Sequence, residues 1–276
     1  MTVKPSAQTL ARLAAVVGDK YAITDPTQMT AYMTEWREIW IGKSPLVLRP
    51  AATDEVSKIL AIAHEMETAI VPQSGNTGLV GGQIPYETGD EVVLSLNRMT
   101  RIRNVDPVNN SITVDAGVTL KSVQDEAEKA DRLFPLSLES EGSCRIGGNL
   151  STNAGGLGVL AYGNSRDLCL GLEVVLADGR IWNGLKSLRK DNTGYDLKNL
   201  FIGAEGTLGV ITGVVMKLFP RPSNRATAFV ALPSIKAALD LLTLARQRSS
   251  SPVTAIELFP RNGFEFTIKH FQVRDP

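Results

Sequence analysis

Cysteine is almost absent from this sequence. Cys144 and Cys169 are the only two in 276 residues, too few for the disulfide framework of a secreted scaffold. Histidine is equally scarce: His64 and His270 make no metal site by themselves, and His64 falls on an expected helix, where a surface or capping place is the simpler reading. Neither sign of charge is in excess, since 29 Lys and Arg balance 29 Asp and Glu. With no basic face evident, nucleic acid is not an expected partner. No apolar run approaches the roughly 20 residues of a membrane helix. Arg12, Asp19 and Lys20 interrupt the Ala/Val-rich start that would otherwise imitate a signal peptide. These absences lead to the expectation of a reducing, cytoplasmic setting, and they do not decide against peripheral membrane attachment.

What the chain has instead is glycine in clusters. Phe134–Gly163 carries Gly142, Gly147, Gly148, Gly155, Gly156, Gly158 and Gly163, with Ser143, Asn149, Ser151, Thr152 and Asn153 between them. Such a run costs backbone entropy on folding, so it belongs where bare N–H groups must approach an anion or a flat polar ring. A flexible linker is the alternative, but Ile146, Leu150, Leu157, Val159 and Leu160 thread the run with apolar anchors. Val71–Gly82 (VPQSGNTGLVGG) is a second cluster at the end of a short buried strand, and Gly203–Ile211 (GAEGTLGVI) a third that runs into an apolar strand.

The familiar nucleotide motifs do not fit these clusters. Asn76 and Thr77 follow Gly75 where a dinucleotide fingerprint needs its next glycine one residue on. No strand leads into Gly156–Ala161 (GLGVLA), and Arg37 stands where the first glycine of a P-loop ending at Gly42-Lys43-Ser44 should be. Three glycine loops enclosing one long, extended ligand is the better expectation.

Around the loops the periodicities predict a mixed α+β chain. Helices are expected over Leu10–Val17, stopped by Gly18, after Thr53 as cap, and after Thr119 as cap. Strands are expected at Pro45–Arg49, Ala69–Val71, Glu91–Leu96, the hairpin Arg101–Asp106 with Ser111–Ala116, Gly171–Ala177 returning at Arg180–Trp182, and Thr207–Phe219. Thr24–Ile41 is irregular and aromatic. Pro220 and Pro222 mark a boundary, after which strands at Ala226–Leu232 and Val253–Phe259 and helices at Ser234–Arg246 and Arg261–His270 are expected.

The loops carry a resemblance. Pro72–Gly78 (PQSGNTG), Gly142–Asn149 (GSCRIGGN), Ser151–Gly156 (STNAGG), Leu188–Leu197 (LRKDNTGYDL) and Phe201–Gly209 (FIGAEGTLG) resemble the FAD-linked oxidases of the vanillyl-alcohol oxidase and p-cresol methylhydroxylase (PCMH) type. The branch they most resemble is that of the bacterial and mitochondrial D-2-hydroxyglutarate and D-lactate dehydrogenases. The resemblance implies a PCMH-type FAD-binding domain over 1–222, in subdomains of about 1–105 and 106–222, followed at 223–276 by the start of an incomplete α+β cap (substrate) domain. It implies FAD contacts from Pro72, Gly75, Asn76, Thr77, Gly78 and Leu79 at the pyrophosphate, with Ser95, Leu96 and Met99 as weaker contacts. Gly142, Ser143, Gly147, Gly148, Asn149, Thr152 and Gly155 would line the ribityl chain, pyrophosphate and flavin edge, and Gly206, Gly209, Val210 and Ile211 would approach the adenine half.

Some relatives attach flavin through a histidine of the first loop. Asn76 occupies that neighbourhood here, so dissociable FAD is expected. The expected reaction is oxidation of a small D-2-hydroxy acid, with electrons passed to an electron-transfer flavoprotein, a quinone or a cytochrome. The catalytic base, the metal ligands and a divalent metal such as zinc belong to the longer relatives' C-terminal part, and no catalytic or metal-binding residue is assigned within this chain. A homodimer is compatible with the sequence. Arg37 and Tyr195 are pocket candidates, against which a surface salt bridge and a buried packing ring, respectively, weigh equally. Two other readings stay open: a related flavin oxidase or reductase acting on an alcohol, sugar or glycolate, and an FAD-binding piece without turnover alone.

Overall fold

The computed structural model describes residues 3–249 and 252–271. Its first sheet is built from β1 (Ala22–Ile23), β2 (Val47–Leu48), β3 (Ile70–Gln73) and β4 (Val92–Ser95), in the order β1-β2-β4-β3. The strand–helix–strand unit from β2 to β3 gives two strands that each run parallel to β4, which inserts between them. Both faces of this sheet are covered, so β4 reads as a continuous apolar run rather than an alternating one. Val47 and Val93 point to α2 (Pro26–Met33), packing with Met29 and Met33, while Leu48, Val92 and Leu94 point to the core shared with α1 (Ala7–Val17) and α3 (Thr53–Glu65).

Five antiparallel strands form the second sheet: β5 (Ile102–Asp106), β6 (Ser111–Asp115), β8 (Cys169–Val175), β9 (Ile181–Gly184) and β10 (Val210–Lys217), ordered β5-β6-β10-β8-β9. The short β7 (Arg132–Leu133) pairs with β11 (Phe219–Pro220). The changeover between sheets falls before Ile102, because β5 pairs with β6. A division near 105 would cut that strand. Ile112, Leu120, Leu172 and Val214 of the second half share one core cluster with Leu13, Ile59 and Leu94 of the first. Helix α4 (Leu120–Lys129) has its cap as expected, with Thr119 Oγ1 accepting from Ser122 N–H at 3.2 Å.

Thr53 does something else. It is the first residue of α3 rather than its cap; its hydroxyl donates to Glu173 Oε1 at 2.7 Å, and Glu55 accepts from Ala51 N–H at 2.8 Å. A partner 120 residues away on β8 competed successfully for that hydroxyl.

Beyond Pro222 the two helices form, at Ile235–Arg248 with Ser234 as cap and at Arg261–Phe271. The strands expected at Ala226–Leu232 and Val253–Phe259 do not: among the described residues neither finds a ladder partner. Apolar composition alone does not make a strand, because its N–H and C=O groups need a neighbour. The helix at 235–248 leaves Ile235 and Leu239 exposed and buries only Ala238. Phe229, Phe259 and Phe264 pack their rings together, with centroids 5.5 to 6.1 Å apart. No described helix is long and apolar enough to cross a membrane.

Candidate functional site

The carboxyl ends of parallel strands are where open α/β sheets place ligands, and β3 ends there on the first glycine loop. The three glycine clusters meet at that point. Gly75 abuts the second loop so closely that an added Cβ would stand 2.5 Å from the Ser143 carbonyl oxygen and 2.9 Å from Cys144 Cα. A Cβ on Gly148 would lie 3.3 Å from Ser74 Cβ, and one on Gly206 would lie 3.0 Å from Pro72 Cγ. The second and third clusters are stitched by Gly203 N–H donating to Leu150 O at 3.0 Å and Glu205 N–H donating to Ser151 O at 2.9 Å. Sequence segments more than 100 residues apart thus share one cleft.

The first loop is tied down by side chains and leaves its own N–H groups free. Gln73 Nε2 donates to the carbonyls of Tyr32 (2.9 Å) and Gln83 (3.0 Å). Asn76 Nδ2 donates to those of Ala31 (3.0 Å) and Thr34 (2.9 Å). Gln83 Nε2 donates to Gly78 O at 2.8 Å and Asn76 Oδ1 at 3.2 Å. Among the described residues, the backbone N–H groups from Ser74 to Gly82 have no acceptor within the chain. Asn76 sits at φ 52°, a left-handed conformation that its short amide tolerates and that turns successive N–H groups toward one side. The result is a concave run of donors suited to an anion.

The cleft brings together Pro72, Gly75, Asn76, Thr77, Gly78, Leu96, Gly147, Gly148, Asn149, Thr152, Gly206, Gly209, Val210 and Ile211. It does not include six other candidates. Leu79 turns outward, with its carbonyl accepting from Arg37 Nη2. Ser95 and Met99 are wholly buried in the core. Gly142 faces open space, Ser143 is exposed beside Gly75, and Gly155 packs toward Asn164 and Val159. The pocket roles weighed for Arg37 and Tyr195 are not realised in this cleft: Arg37 braces Leu79, and Tyr195 is 93% exposed beside a separate shallow groove.

Sequence reasoning missed Gln73, Ser74, Gln83, Ser140, Arg145 and Glu205 as wall residues. Gln73, Ser74, Arg145 and Glu205 lie inside the family-like motifs, so motif membership was the available signal; nothing local marked Gln83. The Arg145 guanidinium is held below its ordinary value, chiefly by burial, with Tyr32 opposing and the charge on Arg49 adding to the effect. No described group of His, Cys, Asp and Glu is placed to hold a metal ion.

A family model described as an FAD binding domain matches residues 44–184. The D-2-hydroxyglutarate–pyruvate transhydrogenase of Saccharomyces cerevisiae is 41% identical over 247 residues, 90% of this chain and 49% of that protein. The mitochondrial D-2-hydroxyglutarate dehydrogenase of Danio rerio is 42% identical over 254 residues, 92% of this chain and 47% of that protein. The chain therefore spans about half the length of these curated relatives. Among solved structures, p-cresol methylhydroxylase with bound substrate superposes with a TM-score of 0.67 at 22% identity, over 79% of this chain and 44% of that one. That likeness establishes the PCMH-type fold.

The relatives overturn the cytoplasmic expectation. Those from Danio rerio, Bos taurus and Schizosaccharomyces pombe are named mitochondrial. Scarce cysteine speaks against a disulfide framework, and more than one compartment satisfies that.

The residues present fit FAD. Ser74 Oγ is a buried polar atom of the cleft wall without a partner in the chain. Beside it lie the unpaired N–H run and a floor at Gly148 that a side chain would fill. A buried hydroxyl without a partner is costly until one is supplied, and the free amides beside it are open to an anionic ligand.

Proposed function

This chain belongs to the FAD binding domain family, and on that premise we propose that it is the flavin-holding part of a dehydrogenase oxidising a D-2-hydroxy acid, either D-2-hydroxyglutarate or D-lactate, to the 2-oxo acid. The observation that carries this reading is 41% and 42% identity to two proteins named for D-2-hydroxyglutarate. FAD, when bound, supplies the hydride acceptor.

The chain's own residues bind and orient. The amides of the first loop and Thr77 take the diphosphate, while Gly147, Gly148, Asn149 and Thr152 line the ribityl chain and flavin edge. Gly206, Gly209, Val210 and Ile211 border the adenine half. Binding is noncovalent: the first loop offers no histidine, and both amide hydrogens of Asn76 are already committed to carbonyls. An electron-transfer flavoprotein, a quinone or a cytochrome takes the electrons onward. Residues 1–222 form the flavin domain and 223–276 begin a cap; the ring cluster of Phe229, Phe259 and Phe264, separate from the main core, supports that division.

The test is to load the chain with FAD and assay it alone and joined to the C-terminal half of a curated relative. D-2-hydroxyglutarate, D-lactate and glycolate are offered with an artificial electron acceptor. Turnover of either D-2-hydroxy acid in the joined form supports the reading. Bound flavin with no turnover of either would refute it.

A further inference from the structure

Three half-buried arginines, Arg49, Arg98 and Arg145, have no carboxylate partner among the described residues, and Arg145 lines the cleft. Arg49 Nε donates to Asn97 Oδ1 at 3.2 Å, and Asn97 Nδ2 donates to the Tyr32 hydroxyl at 3.4 Å. Arg98 Nη1 donates to the Arg49 carbonyl at 2.6 Å, while its guanidinium lies 3.2 Å over the Tyr21 ring. Arg145 lines the cleft itself and donates through Nη1 to Gly117 O. The charge on Arg49 adds to burial in holding the Arg145 guanidinium below its ordinary value, and Tyr32 opposes it. Arg12, Arg37, Arg101 and Arg103 reach acids, whereas the exposed Arg132 bonds only the carbonyls of Pro107 and Asp131.

Positive charge left half-buried and unpaired is unfavourable unless something else neutralises it. The roles of these arginines differ. Arg98 is satisfied by a carbonyl and an aromatic face. Arg49 and Arg145 keep guanidinium donors that no group among the described residues takes. Arg145 stands at the contact between the first two loops, where its backbone N lies 3.2 Å from the position of a Cβ on Gly75, and it lines the cleft there. The cleft's one lining carboxylate, Glu205, stands against Gly82 instead and forms no ion pair with Arg145.

We propose that Arg145, backed by Arg49, supplies the counter-charge for the diphosphate of FAD at the contact between the first two glycine loops. Backbone amides give geometry to that group but no net charge. A guanidinium gives both, through charge-assisted hydrogen bonds to phosphate oxygens. The inference rests on the flavin reading and is independent of which acid is oxidised.

The experiment is equilibrium FAD binding by flavin fluorescence, using the 276-residue chain stripped of flavin, its Arg145→Met and Arg145→Lys variants, and Arg49→Met. Arg145→Met should raise the FAD Kd about tenfold or more, Arg145→Lys by less, and Arg49→Met by an intermediate factor. ADP should lose potency as a competitor against Arg145→Met in the same proportion, while adenosine keeps its own. FAD affinity of the unmutated chain should fall between about 0.05 and about 0.5 M salt, and fall less in Arg145→Met.

An Arg145→Met chain binding FAD within twofold of the unmutated one, with the same salt dependence, would overturn the proposal. Should that variant not fold, salt-independent FAD binding by the unmutated chain overturns it equally. A chain that takes up no FAD refutes the flavin reading itself, and shows this before any variant is made.

Discussion

Gln83 and Asn76 are joined through their side-chain amides, Gln83 Nε2 donating to Asn76 Oδ1 at 3.2 Å while Asn76 hands both of its own amide hydrogens to carbonyls at the end of α2. The pair converts a glycine-rich loop into a preorganised one. Side chains of the loop and the Gly78 carbonyl are committed to one another, and its N–H groups are left without an acceptor among the described residues. Rigidity of this kind lowers the ordering cost of binding.

Gln83→Leu removes both donors and frees the loop. FAD should bind about tenfold more weakly, read by fluorescence titration, while the melting temperature of the flavin-free chain stays close to the unmutated value. Gln83→Glu should be worse than Gln83→Leu, because a carboxylate would then face Gly78 O and the bound diphosphate.

Buried charge ties the strands of the second sheet to one another and to the start of α3. Asp115 accepts from Arg101 Nε at 3.0 Å and Arg103 Nε at 2.6 Å; Arg103 Nη2 donates to Glu173 at 2.9 Å, and Thr53 and Thr212 complete that carboxylate's shell. Arg103→Leu leaves Glu173 without a cation and Asp115 with Arg101 alone, and should cost about 3 kcal/mol in urea unfolding. Burial pushes the Glu173 carboxyl up, but the hydrogen bonds from Arg103, Thr53 and Thr212 outweigh it and hold it below the usual range. Its stabilisation is therefore present above the ordinary glutamate pKa and lost as pH falls through the lowered one. Arg103→Leu should flatten that acid limb.

Glu35 organises the aromatic loop after α2. Its carboxylate accepts from the N–H groups of Arg37 (2.8 Å), Ile39 (2.8 Å) and Trp40 (3.4 Å). These bonds, that from Arg37 foremost, hold its carboxyl below the ordinary value against the opposing effect of burial. Acid should loosen the loop only below the usual glutamate range. Glu35→Ala should speed tryptic cleavage after Arg37 at neutral pH, and unchanged cleavage would contradict this account.

Burial pushes the Cys169 thiol up to about 12. The native thiol should resist alkylation at pH 8 and react only on unfolding. Because the folded state holds its proton where the unfolded chain loses it, near 8.5, this contribution to stability is complete below that pH and lost as pH rises toward the native value. Cys169→Ala should remove that alkaline component of the urea midpoint.

The amino-acid sequence alone determined the local features of this protein: the helix α1 closed by Gly18, the cap at Thr119, the β5–β6 hairpin, and three glycine-rich loops suited to a long ligand. Each depends on neighbours a few residues apart, so spacing and residue type suffice. Tertiary structure alone decided the rest. It recruited Thr53 to Glu173 instead of to its helix, put β4 between β2 and β3, and turned Leu79 and Gly142 out of the cleft. It also brought Gln83, Arg145 and Glu205 into that cleft. The runs at 226–232 and 253–259 show the same principle in reverse. Their composition favours strands, but a strand exists only where another chain segment receives its hydrogen bonds, and only the folded chain supplies or withholds that partner.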